Sequence, residues 1–333
     1  MIIVVISDHL EYQKKTSSIK WVYSILKSSQ HSVHYVSTGL SLMRLTLKRI
    51  KFKDFLKNIR FSQKSKLTFL FPVFPILNRF TRKYFQTLWT KGFVRNVVNS
   101  NPDLIIVESG IPTIVLYSIF HNDKLKGVRK VYRVSDIMES FRKNPVLSDI
   151  ERFIINNRRV NNCIVSAPAY HSSIAPDQIL TPGVPLFALE KKRPVREKNI
   201  VYIGIYPLPE DFIDQLSNYY KDYKIICTSV GRSKWRNVEF VGIVGQKVIQ
   251  EIVVKASIGV MFFPSGASDW FLSSSNKLSI YNALGIPVIS NDCGVNLEEY
   301  CIYNIGKKID PSRPCKQREV HSWEQFTEKL IGC

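Results

Sequence analysis

TPGVPLFALEKKRPVREK, residues 181–198, interrupts an otherwise regular chain. Its three prolines and its run of lysines and arginines give it neither a helix period nor a strand alternation, so it reads as a linker. Before it, apolar and β-branched runs recur at MIIVVIS (1–7), SVHYVS (32–37), LTFLFP (67–72), DLIIVES (103–109), KVYRVS (130–135) and NCIVSA (162–167), with helix-compatible stretches between most of them. After it the series restarts at NIVYIGIY (199–206), YKIICTSV (223–230), VEFVGIV (238–244), SIGVMFFP (257–264) and IPVISN (286–291), with helices expected near 209–220, 246–255 and 275–284. Near-continuous hydrophobic strands alternating with helices indicate parallel sheets covered on both faces. The expected fold is therefore α/β, two facing Rossmann-like domains with a cleft between them: 1–182, a linker at 183–198, and 199–333. The chain should end in an amphipathic helix, since Ser322 and Gln325 have capping-box spacing and Trp323, Phe326 and Leu330 form an apolar stripe.

Composition supports two domains and narrows the partners. A chain of 333 residues exceeds what one core usually supports, and a hydrophobic content of 45% fits a globular protein. No apolar run is long enough to span a bilayer, and MIIVVISDHL turns polar too soon for a signal peptide, which points to the cytoplasm. The six cysteines lack CxxC spacing and the six histidines show no HExxH, so no metal is expected and the thiols read as reduced. A formal charge of +20 calls for a polyanion or an anionic membrane surface. Between Arg44 and Lys66, nine basic residues face one acid, Asp54, and are interleaved with Leu42, Leu45, Leu47, Ile50, Phe52, Phe55, Leu56, Ile59 and Phe61. That mixture suits an interfacial membrane segment better than a nucleic-acid arm, although solvated helices with snorkelling lysines give the same pattern. A second set, Arg79, Arg82, Lys83, Lys91 and Arg95, is interleaved with Phe80, Tyr84, Phe85, Leu88 and Trp89.

In doubly wound folds, ligands sit at the carboxyl ends of the strands. The residues there are Asp8 and His9; Glu108, Ser109 and Gly110; Arg133 and Asp136; Gly204 to Pro207; Gly231; and Pro264 to Gly266. One further stretch invites an anion. SSSNKLSIYNALGIPVIS (273–290) places serine caps before a short helix, with Lys277 in its first turn and Gly285 at its end. Unpaired N–H groups, the helix dipole and a full positive charge converge there.

At this point the sequence resembles a GT-B glycosyltransferase, and in particular the GumK-like glucuronosyltransferases of bacterial exopolysaccharide assembly. The blocks that carry the likeness are VESGI (107–111), YRVSD (132–136) followed by IER (150–152), and SSSNKLSIYNALGIPV (273–288). Weaker echoes are SDHLEY near the N-terminus, STGLSLMRL (37–45), IVSAPA, the Gly-Val of TPGVP, and YIGIYPLPEDF (202–212). The resemblance implies transfer of glucuronic acid from UDP-glucuronate to a lipid-linked oligosaccharide at the inner face of the bacterial cytoplasmic membrane. It further implies inversion, with no metal and no cofactor beyond the UDP-sugar substrate.

Such a transfer needs a base to take the acceptor hydroxyl's proton. Asp136, at the end of an apolar strand, suits that task and falls on the family's base by resemblance; helix capping is its bland alternative. His9 is the competing base, as some other inverting GT-B enzymes place a histidine just after the first strand. Asp8, Glu108, Ser109 and Arg133 stand on the acceptor side. On the donor side, Ser274, Ser275, Asn276 and Lys277 would cradle the diphosphate, as the same stretch does in the resembling family. Gly204, Ile205 and Tyr206 offer a turn that can approach sugar or phosphate, Gly231 ends another strand, and Phe263 ends the strand expected beside the uracil. Ordinary core packing is the other reading of Phe263.

The chain also departs from those patterns. Ile280 stands where retaining GT-B enzymes of the sucrose-synthase-like class carry a glutamate, which disfavours retention. Asn276, Ile280 and Pro185 replace a methionine, a glutamine and an acid of the GumK-like pattern, changes that bear on which sugar is carried. Two other functions fit parts of the sequence: a nucleotide-sugar 2-epimerase of the same architecture, and a basic nucleic-acid-binding protein, for which no compact binding motif is visible.

Overall fold

A computed structural model describes residues 1–9, 17–38, 90–135, 145–156, 162–166, 175–189, 195–204, 207–263, 276–291, 301–307, 309 and 320–333. The run LTFLFP, the basic segment 44–66 and the first part of the second basic set lie outside these residues. The chain divides into two compact units, Met1–Leu180 with Thr327–Cys333, and Thr181–Phe326.

The first unit is built on a parallel sheet of β1 (Ile2–Ser7), β2 (Ser32–Ser37), β3 (Leu104–Glu108), β4 (Arg129–Val134), β5 (Asn162–Ser166) and β6 (Gln178–Ile179), in the order β2-β1-β3-β4-β5-β6. Ile3 to Ile6 and Leu104 to Val107 are fully buried, as expected for central strands covered on both faces. Helix α1 (Ser18–Ser28) buries Ile19, Val22, Tyr23 and Leu26, a single stripe at helical spacing. Helix α2 (Pro112–Phe120) starts with proline at its first turn, where a missing N–H costs nothing, and is apolar almost all round because nearly all of it is buried. Helix α3 (Pro145–Asn156) buries Leu147, Ile150 and Ile154.

The second unit repeats the scheme with β7 (Asn199–Tyr202), β8 (Lys224–Cys227), β9 (Val238–Phe240), β10 (Ile258–Met261), β11 (Val288–Ser290) and β12 (Ile302–Asn304), in the order β12-β11-β10-β7-β8-β9, again all parallel. The crossovers include α4 (Glu210–Tyr219), α5 (Gln246–Val253) and α6 (Asn276–Ala283). Gly285 stops α6 in the left-handed region at φ 61°, its N–H donating to Asn282 O while the Ile286 N–H donates to Tyr281 O. That pair of bonds is a Schellman cap. The chain ends in α7 (Trp323–Gly332), whose start carries the expected capping box: the Ser322 N–H donates to Gln325 Oε1 at 2.9 Å and the Gln325 N–H to Ser322 Oγ at 3.2 Å.

Two sequence expectations need correction. The segment read as a linker is in part core of the second unit: Val184, Phe187 and Ala188 are buried there, and the Val184 N–H donates to His321 O. Its prolines disfavour a long α-helix, and only a short 3-10 turn forms at Leu186–Ala188 among the described residues, but composition says nothing of where the apolar side chains go. The cysteines are not all reduced, because Cys163 on β5 is joined to Cys333 with their Cα atoms 6.1 Å apart, a pairing across 170 residues that local spacing cannot reveal. Cys227 is free, and burial pushes its thiol up to about 12.

Gly259 on β10 shows how closely α6 is laid on the sheet. A Cβ there would stand 2.8 Å from the Tyr281 ring, and that ring cannot move aside, because the Tyr281 hydroxyl donates to Val201 O at 2.8 Å and accepts the Ile203 N–H. Gly259→Ala should therefore cost about 1–3 kcal/mol, the range for overpacking. Thermal unfolding of the full chain checks this, and an unchanged midpoint would mean that the helix yields.

Candidate functional site

In the first unit, the chain leaves β1 in opposite directions to β2 and to β3, which makes the carboxyl end of β1 and β3 the switch-point crevice. Ser7, Asp8, His9, Glu108 and Ser109 stand there, with Arg133 and Ser135 at the end of β4. Glu108 is 4% exposed and Arg133 6%, and each answers the other's desolvation: Arg133 Nη1 lies 3.2 Å from Glu108 Oε1. Ser7 Oγ donates to the second oxygen, Oε2, at 2.7 Å, and Arg133 Nη2 donates to Ser18 Oγ at the start of α1, 2.8 Å away. The His9 N–H donates to Ser7 Oγ, the His9 carbonyl accepts from Tyr35 OH, and the ring Nε2 lies 3.8 Å from Asp8 Oδ1 and 4.0 Å from Glu108 Oε2. Ser109 Oγ and Ser135 Oγ are 3.0 Å apart, and the Ser135 N–H also donates to Ser109 Oγ. The sequence-derived residues Asp8, His9, Glu108, Ser109 and Arg133 thus form one constellation. Asp136, the next residue after Ser135, lies outside the described residues.

Tyr132, the residue before Arg133 on β4, belongs to a second buried network that sequence reading missed. The Tyr132 hydroxyl donates to Glu151 Oε1 at 2.6 Å and lies 3.2 Å from Thr113 Oγ1. Burial, with the Glu151 charge behind it, pushes the Tyr132 phenol well above its ordinary range, so it stays a donor.

In the second unit the direction reverses at β7, between β10 and β8, so the crevice lies at the carboxyl ends of β7 and β10. Gly204 follows β7 here, its N–H donating to Thr228 Oγ1 at 3.0 Å. A Cβ at Gly204 would come within 2.3 Å of the Tyr202 ring, so this turn requires glycine. Helix α6 starts at the same edge, and Lys277 Nζ lies 5.3 Å from the centre of the Tyr202 ring. Burial pushes the Tyr202 phenol up to about 12, so the ring stays neutral and offers its electron-rich face to the ammonium. Phe263 is 1% exposed; its ring belongs to the core and its backbone is held from both sides by Asn291, which accepts its N–H at 2.7 Å and donates to its carbonyl at 2.6 Å. A Cβ at Gly231 would collide with the Phe240 ring, which fixes the loop after β8. The Ser229 and Ser290 hydroxyls are fully buried, with no hydrogen-bond partner among the described residues. Ile205, Tyr206, Ser274 and Ser275 lie outside the described residues.

Thr228, Tyr281, Asn291, Ser7 and Ser18 are among the polar members that sequence reading did not select. For Thr228, Asn291 and Ser7 the signal was position, since they directly follow apolar runs, as do the residues that were chosen.

No family model matches the sequence, and no curated protein matches it. Solved structures do share its fold. The sucrose-phosphate synthase of Thermosynechococcus elongatus matches with a TM-score of 0.57 at 12% identity, over 99% of this chain and 90% of that one. The glycosyltransferase SnogD of Streptomyces nogalater matches at 0.51 and 12%, over 99% and 98%, and MurG of Acinetobacter baumannii at 0.51 and 8%, over 99% and 90%. The fold class is α/β, of the GT-B type. At such identities the likeness is one of fold. Among the described residues, no helix is long and apolar enough to cross a membrane.

Proposed function

We propose that this chain is an inverting glycosyltransferase that takes its sugar from a UDP-sugar held by the second unit and delivers it to an acceptor hydroxyl at the first. The observation that carries the reading is the meeting of Gly204, the start of α6 and Lys277 at the β7/β10 switch point. A diphosphate leaving group needs positive potential and close backbone approach, and this edge supplies both from the polypeptide itself. The buried Ser229 and Ser290 hydroxyls at the carboxyl ends of β8 and β11 add polar groups of the kind that ligand-binding edges retain. Asp136 takes the acceptor proton, with Asp8, Glu108, Ser109 and Arg133 on the acceptor side.

Glucuronate as the sugar and a lipid-linked oligosaccharide as the acceptor rest on the resemblance of VESGI, YRVSD and SSSNKLSIYNALGIPV to the GumK-like enzymes. The basic-apolar segment 44–66 supports peripheral contact with an anionic membrane surface at the cytoplasmic face.

A panel of UDP-sugars in thermal-shift assays tests the donor, because a ligand that binds only the folded state raises the melting temperature. UDP should stabilise the wild type, and Lys277→Ala should weaken UDP about tenfold, the loss of one charge-assisted contact. Unchanged UDP affinity in Lys277→Ala, read by calorimetry, would remove the cradle from the proposal.

A further inference from the structure

We infer that Asp8, His9 and Glu108 form a binding site for one divalent ion of the Mn²⁺ or Zn²⁺ class. One imidazole nitrogen and two carboxylate oxygens from these residues lie within 4.8 Å of one another. A point equidistant from three atoms so spaced lies about 2.8 Å from each or nearer, against roughly 2.0–2.2 Å for zinc ligands and 2.3–2.6 Å for calcium. Side-chain rotations of a few tenths of an ångström close that gap without moving β1 or β3.

The donor set decides the class of ion. Magnesium and calcium take oxygen throughout, whereas a mixed imidazole and carboxylate set suits manganese, zinc or iron(II). The surroundings are those of a held ligand. Glu108 is fixed by Ser7 at Oε2 and by Arg133 at Oε1, and hydrogen-bonded carboxylates of this kind keep a ligating oxygen in place. The backbone of His9 is pinned by Ser7 and Tyr35, which leaves its ring as the adjustable part. Two carboxylates against one guanidinium leave one negative charge among these groups, favourable to an added cation. The side chains of Asp8 and His9 are 34% and 28% exposed, so the remaining coordination positions open toward water or an acceptor hydroxyl.

The site also bears on the choice of base. An ion on His9 Nε2 occupies the lone pair that a base would use, which leaves proton removal to Asp136. The inference stands on the first unit alone and does not depend on the UDP-sugar reading.

The test uses the full chain, stripped by a chelator and dialysed into chelator-free buffer, with Mn²⁺ alone as the first probe because thiols bind it poorly. Loss of the free Mn²⁺ paramagnetic signal and calorimetry should both give one ion per chain. His9→Ala and Asp8→Asn should each weaken binding at least tenfold, and Ser7→Ala, which loosens both Glu108 and the backbone of His9, by about tenfold. Zn²⁺ should compete for the same site. Circular dichroism and thermal unfolding of His9→Ala and Asp8→Asn should match the wild type, since neither side chain is part of the core. No Mn²⁺ binding at millimolar concentration, or equal binding by the wild type, His9→Ala and Asp8→Asn, overturns the inference.

Discussion

Asp136→Asn should lower the rate of sugar transfer by 10²-fold or more while leaving UDP affinity within about twofold of the wild type. The size follows from the role, since a positioned general base contributes typically 10²–10⁴-fold. Asparagine is the informative replacement, because it caps a helix as well as aspartate does and so preserves that alternative role of the residue. If Asp136 were only a cap, Asp136→Asn would transfer at nearly the wild-type rate. The effect belongs in kcat with little change in the donor KM, because in the proposed function the base acts on the acceptor and the second unit holds the donor. Removing the base should also flatten the acidic limb of the pH–rate profile, which is read independently of the absolute rate. A variant that keeps its rate within a few-fold would pass the role to another group, His9 first.

Much of the fold was legible because of one physical fact. Central strands of parallel sheets are buried on both faces, so MIIVVIS, DLIIVES and NIVYIGIY stand out as unbroken apolar runs and became β1, β3 and β7. Of the four edge strands, β2 and β9 were legible as SVHYVS and VEFVGIV, but β6 and β12 carry no such signal. Gln178–Ile179 and Ile302–Asn304 are too short and too mixed to be distinguished from loops, and β12 is entered through Cys301 at φ 56°, a backbone turn that no composition rule marks. The linker was misread for a related reason: Val184 and Phe187 are buried in the core of the second unit, and Trp323, from the far end of the chain, lies against Gly183 and donates its N–H to Val184 O. The constellation at β1 and β3 was legible as a set of strand ends but not as a network. Glu108 lies 101 residues from Ser7, and Arg133 lies 115 from Ser18, so only the sheet order could show that they hold one another. The mixed set of Asp8, His9 and Glu108 escaped the search for metal motifs on the same ground, since two of its members are neighbours and the third comes from another strand.

The Glu108 and Arg133 pair yields the largest expected effect on stability. Arg133→Met keeps much of the side-chain volume but leaves a carboxylate, 4% exposed, with Ser7 as its remaining described hydrogen-bond partner. Stranding a buried charge in this way costs about 3–5 kcal/mol. For a unit of this size that corresponds to a fall in melting temperature on the order of 10 °C. Removing both charges is a different experiment, because an apolar pair of similar volume owes no desolvation. The double variant Arg133→Met, Glu108→Leu should therefore recover more than half of the loss, and the shortfall from additivity measures the coupling. It should not recover activity, since the same substitution deletes a carboxylate from the crevice at β1 and β3. Restored stability with absent transfer would separate the two duties of Glu108: as half of a buried ion pair, where a matched apolar replacement serves, and as an oxygen presented beside His9, where none does. Additive losses in the double variant would instead show that the two residues are stabilised by other neighbours, and the crevice would then have no charged floor on which to seat Asp8 and His9.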